Sequence, residues 1–161
     1  MANTEEMPPW RELYDYWAAR HVDGRPPSRD ALDPPIDLPH LAPDLMLVDV
    51  LSGGFAYRLA GSNVVKGAGV GMTGIAAGSS GRHAHVMDTW TGALRAVHDD
   101  GKPRLLTARF AAHVTAKTLW LLLPLSASAD GIPKILGGMF LQGVFPPGTE
   151  IHAFTVDLAA P

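Results

Sequence analysis

The stretch Lys117-Thr-Leu-Trp-Leu-Leu-Leu-Pro-Leu125 decides the fold, because its apolar residues stand at odd and even positions alike. Alternate side chains of a strand point to opposite faces. Leu119, Leu121 and Leu123 on one side, with Trp120 and Leu122 on the other, therefore require cover on both faces of a sheet. The apolar run Leu119–Leu125 is far too short to span a bilayer as a helix.

Working outward, Asp130-Gly131 is turn chemistry and leads into a strand over Ile135–Val144. Strands are also expected over Arg104–His113 and Thr115–Ala127, and the weak alternation of Ile151–Leu158 allows a sixth strand at an edge. Upstream, Asp88 suits an N-cap for a helix through Trp90, Leu94 and Val97, which share one face, ending near Gly101-Lys102-Pro103. The segment Gly61–Gly81 is rich in glycine; it permits a short turn of helix over Asn63–Lys66 and no long one. Before it, Leu45–Leu51, the turn Ser52-Gly53-Gly54 and Phe55–Ala60 read as a hairpin. The prolines at 26, 27, 34, 35, 39 and 43 make residues 26–44 a wrapping segment anchored by Ile36, Leu38 and Leu41.

At the N-terminus, Trp10, Leu13, Tyr14 and Trp17 recur at helical spacing behind Pro8-Pro9, and Gly24 ends that helix. Such an aromatic stripe packs either on this chain's own sheet or across a homodimer. The order of elements, with sequential strands and the helices gathered between them, makes an antiparallel α+β fold.

The 161 residues fit one domain and suffice to bury a core without staples. Cysteine is absent, which removes disulfides and thiol chemistry. A net charge of −3 provides no basic field for nucleic acid. Glu5 and Glu6 stand where a secretory signal would be basic, so a cytoplasmic location without membrane contact is expected.

Candidate chemistry is sparse. Gly69-Val-Gly-Met-Thr-Gly74 has dinucleotide-loop spacing, but a short helix rather than a strand precedes it, and Leu94 stands where an acidic residue belongs. His83 and His85 form an HxH pair, which supplies too few ligands for zinc. His98 ends a helix, a position the macrodipole favours. Arg58, set among alanines, needs Asp33 or Asp37 as a partner, or else an anionic ligand. Trp90, Leu94, Phe110, Trp120 and Met139 either fill a core or line an apolar hollow, in which Thr107 and Gln142 would be the polar groups. No nucleophile with a base and no carboxylate pair stands out.

Leu13-Tyr-Asp-Tyr-Trp17, Pro27-Ser-Arg29 with Asp33-Pro34, Tyr57-Arg-Leu-Ala-Gly61, Met72-Thr-Gly74, Leu122-Leu-Pro-Leu-Ser126 with Asp130-Gly131, and Ile135-Leu-Gly137 follow one another in a set order. That ordered set resembles the short stand-alone PAS-like proteins of alphaproteobacteria and spans nearly the whole chain. The resemblance implies a five-stranded antiparallel sheet with helices on one face and the N-terminal amphipathic helix outside it. It also implies a sensory or adaptor module without catalysis, acting through a small ligand or a signalling partner such as a sensor kinase. It names no cofactor, since PAS domains hold haem, flavin, small acids, metals or nothing, and His98 is placed most like an axial haem ligand. The expected division of 1–161 is a tail at 1–8, the N-terminal helix at 9–23, the wrapping segment at 26–44, a PAS core at 45–145 and an extension at 146–161. Arg58, Trp90, Leu94, His98, Phe110, Trp120, Met139 and Gln142 are then the expected ligand contacts, and Trp10, Leu13, Tyr14 and Trp17 the homodimer interface. Two rival readings are a small enzyme using His85 or His98 as base, and a pure dimerisation module with a filled core.

Overall fold

The computed structural model describes residues 7–68, 84–110, 117–142 and 151–157. Its centre is one antiparallel sheet, built from β1 (Leu45–Leu51), β2 (Gly54–Ala60), β3 (Arg104–Phe110), β4 (Lys117–Leu125), β5 (Lys134–Gln142) and β6 (Ile151–Asp157). The spatial order is β2-β1-β5-β4-β3-β6. The expected five strands are present, and the tail supplies the sixth at the edge beside β3. The helices are α1 (Pro9–Ala18), the single turn α2 (Pro34–Asp37), α3 (Ser62–Ala68) and α4 (Ala84–Asp100), with 3-10 turns at Arg29–Ala31 and Ala42–Asp44.

β4 is covered on both sides, as its composition requires. Leu119, Leu121, Leu123 and Leu125 belong to the core under α1, with Leu13, Trp17, Leu45, Leu136 and Phe140. Leu122 belongs to the core under α4, with Met46, Val48, Phe55, Tyr57, Val64, Trp90, Leu94, Val97, Leu106 and Met139. Leu121, Leu122 and Leu123 have no exposed surface at all. Pro124 is tolerated because β3 pairs with β4 only as far as Leu122, so the missing N–H falls beyond that ladder.

Two boundaries differ from the sequence reading. α1 stops at Ala18 rather than near residue 23, because the chain turns through Asp23 and Gly24 with positive φ and pairs Val22 with Arg25. α4 is already helical at Ala84, so Asp88 lies inside the helix and does not cap it; nothing between 84 and 91 breaks a helix. Its end is as expected, with Gly101 at φ 68° and its N–H donating to the Val97 carbonyl.

The wrapping segment is fastened at both ends. The Ser126 N–H donates to the Pro27 carbonyl and its hydroxyl to that of Pro26. The Tyr16 hydroxyl donates to Asp37 at 2.6 Å and accepts from the Asp33 N–H. Burial, then the Asp37 bond, push the Tyr16 phenol up to about 12. Among the described residues, no helix is long and apolar enough to cross a membrane.

Candidate functional site

The N-terminal stripe divides between two environments. Leu13 and Trp17 are buried against this chain's own sheet, and the Trp17 indole donates to the Pro124 carbonyl at 2.9 Å. Neither leaves apolar surface for a second chain, which corrects the interface reading at those two residues. Trp10 and Tyr14 are only partly buried beside the same core.

On the other face, Trp90 and Leu94 of α4 meet Trp120 of β4 and Met139 of β5, as one apolar cluster. The helix brings Trp90, Leu94 and Val97 onto one face by its period, and the register sets Trp120 opposite Met139. The rings of Trp90 and Trp120 meet edge-on, with centroids 4.8 Å apart.

Both indole nitrogens are buried and neither has an acceptor among the described residues. An indole N–H only donates, so the two tryptophans cannot satisfy one another. Tyr57 of β2 joins the same cluster, and burial pushes its phenol up to about 12, an effect the neighbouring Trp90 indole partly offsets. That neighbouring contact does not reach hydrogen-bond geometry, and the Trp90 N–H stays orphaned. The interior between α4 and the sheet therefore holds two indole donors that complete no hydrogen bond among the described residues, with the Tyr57 phenol as the nearby polar group in an otherwise apolar setting. Sequence reading missed Tyr57 and Val64 here. The large residues Phe55 and Tyr57, alternating along β2, were the available signal for the first.

The remaining expected contacts lie elsewhere. His98 is exposed in the last turn of α4 and outside the buried cluster. Phe110 ends β3 opposite Ile151, and Gln142 ends β5 opposite Lys117; the described structure gives their backbone only. His85 lies in the first turn of α4; His83 and the Gly69–Gly74 loop fall outside the described residues.

Arg58 is exposed and lines a groove with Leu47 and Lys134, on the α1 side of the sheet. The pairing skips it: Leu47 and Val48 face Leu59 and Tyr57, so Arg58 is the extra residue of a β-bulge. The expected ion pair does not form, because Asp37 is engaged by Tyr16 and by Arg20 at 3.5 Å. Among the described residues, no group of three or more His, Asp or Glu side chains is placed to hold a metal ion.

The family model of the PAS domain matches residues 5–140. No curated protein and no solved structure matches the chain. A match over most of the sequence, on an antiparallel sheet with its helices arranged as described, settles the relationship: the chain belongs to the PAS domain family.

Proposed function

We propose that the protein is a sensory module that holds a small, uncharged ligand between α4 and the sheet. The two buried, acceptor-less indole N–H groups of Trp90 and Trp120 carry this reading. A buried donor left unpaired costs about 1–3 kcal/mol, so a ligand bringing a carbonyl oxygen or ring nitrogen recovers free energy that the protein alone does not. Arg104, buried on this face of β3 in step with Leu106, is already paired with Asp100 at the end of α4 and so is committed within the fold. Phe110, at the end of β3 and in step with Leu106, is proposed as a further contact, whereas His98 has no part in this site and Gln142 stands at an α1-face position of β5, in step with Leu136 and Phe140.

The signal passes to a signalling partner such as a sensor kinase, through a surface altered by ligand binding. Trp10 and Tyr14 are our candidates for contact with that partner or a second copy, because they are the part of the aromatic stripe that remains partly exposed. Replacing Trp10 by Ala is expected to lower the mass seen by light scattering without unfolding the chain. An unchanged mass removes α1 from the interface.

The direct test is native mass spectrometry of freshly purified protein beside the Trp90→Phe/Trp120→Phe variant. The wild type is expected to carry a species heavier than the 17.1 kDa chain, and the folded variant to lack it. Equal occupancy in both, or bare chain in both, counts against the site.

A further inference from the structure

We propose a second binding site, on the face of the sheet opposite the tryptophan pair, for a small organic carboxylate with a short apolar stem. The groove has a volume of about 580 Å³, which lies in the range of small-molecule sites. Its floor is Leu47 and Leu59, and its cationic groups are Arg29, Arg58 and Lys134.

The acidic groups that also line it, Asp30 and Asp130, are engaged within the fold. Asp30 accepts from the Ala129 N–H. Asp130 accepts from Lys134 Nζ at 2.8 Å and from the Ile132 N–H. Lys134, 5% exposed, also lies 3.1 Å from Asp49, so its charge is matched inside the protein. The Asp49 oxygen in that contact completes no hydrogen bond, so the pair is a charge contact. Among the described residues, the guanidiniums of Arg29 and Arg58 have no ion pair, and neither has the Asp30 carboxylate, which accepts only the Ala129 N–H. Arg58 has no ion pair, hydrogen bond or ring contact among the described residues, and the bulge holds it at the groove. Arg29 is anchored through one nitrogen to the Leu32 carbonyl, and no other bond of its guanidinium is present among the described residues. The Ser128 hydroxyl, beside Asp130 and also lining the groove, is buried and completes no hydrogen bond among the described residues.

A guanidinium fork matches a carboxylate in two parallel hydrogen bonds. Leu59, 38% exposed, and Leu47 beneath it offer contact to a few methylenes beyond the carboxylate. The combination selects a short-chain acid over both a bare anion and a neutral chain of the same length.

Isothermal titration of the full chain with hexanoate, acetate and hexanamide tests this. Hexanoate is expected to bind saturably, and acetate and hexanamide each about tenfold or more weakly, which is the size of one lost charge-assisted contact. Arg58→Met should weaken hexanoate by at least about tenfold at an unchanged melting temperature, since Arg58 is exposed and supports no described contact. Trp90→Phe, on the other face, should leave hexanoate binding intact, which separates this site from the one proposed above. No saturable heat, hexanamide as tight as hexanoate, coincident curves for Arg58→Met and wild type, or loss of binding in Trp90→Phe would each overturn the proposal.

Discussion

Trp17 and Trp90 are buried to the same degree, 1% and 2% exposed, yet their nitrogens differ in circumstance. Trp17 donates to a strand carbonyl, and Trp90 donates to nothing. The same chemical change should therefore have different costs. Trp→Phe at either position leaves a cavity, but at 17 it also deletes a hydrogen bond and orphans a carbonyl, whereas at 90 it removes an unpaired donor. Urea unfolding of the ligand-free protein is expected to show Trp17→Phe less stable than Trp90→Phe by about 1–2 kcal/mol. Equal losses would mean that the Trp90 nitrogen is satisfied in solution.

Charged residues set the pH range of stability. Burial pulls the Lys134 ammonium down, but the Asp130 hydrogen bond and the charges of Asp49 and Asp130 beside it outweigh that and hold its pKa above the usual 10.5. Lys134 and Arg104, by their hydrogen bonds, hold Asp130 and Asp100 below the usual 3.8. A lowered carboxylate contributes stability above its unfolded pKa and loses it as pH falls through the folded one. A raised lysine contributes below its unfolded pKa and loses it as pH rises through the folded one. Melting temperature should accordingly be flat between about pH 5 and pH 10 and fall on both sides, through these groups. Asp130→Asn should blunt the acid limb; an unchanged limb would show that this pair does not contribute. None of these bonding patterns was legible in the sequence, because whether a buried donor finds an acceptor depends on distances of a few tenths of an ångström. Arg58 illustrates the point. Its need for a partner was readable, but its placement on a bulge, with Asp37 already engaged by Tyr16 and Arg20, was not.

Two glycine positions show how the elements approach one another. A Cβ at Gly138 of β5 would stand 2.7 Å from the Phe140 ring and 2.9 Å from Leu13 of α1. Side-chain ends can shift, so Gly138→Ala should cost about 1–3 kcal/mol through overpacking at the α1 contact. At Gly61 the obstacle is backbone: the Pro43 and Ala42 carbonyl oxygens lie at 2.3 and 2.5 Å from such a Cβ. Gly61 also ties the end of β2 to the sheet by donating to the Leu45 carbonyl. Gly61→Ala should be the more damaging of the two in a thermal melt, and the reverse order would mean that the 3-10 turn at Ala42–Asp44 is free to move. At this scale the sequence was informative about the interior of each strand and weak at helix ends. β1 was bounded correctly because its apolar run ends at Ser52-Gly53-Gly54. The start of α4 was placed late because Asp88, a good cap by residue type, lies in a stretch that nothing prevents from being helical.

The whole molecule is a sheet with two separate cores, and the doubly apolar β4 made that arrangement legible before any coordinate. The sequence could not say which face carries unpaired indole donors. Leucine dominates the α1 side, and the α4 side holds tryptophans, a tyrosine and a methionine, but both compositions suit a filled interior. On the proposed function, the α4 side encloses an acceptor supplied from outside the chain. Proton–nitrogen correlation spectra of the four tryptophan indoles, assigned by single Trp→Phe substitutions, test it most directly. They would be taken on freshly purified protein and again after unfolding, removal of small molecules and refolding. The Trp90 and Trp120 indole signals are expected to move together on stripping, while that of Trp17, bonded to Pro124, stays in place. Trp90 and Trp120 signals that coincide before and after stripping would contradict it.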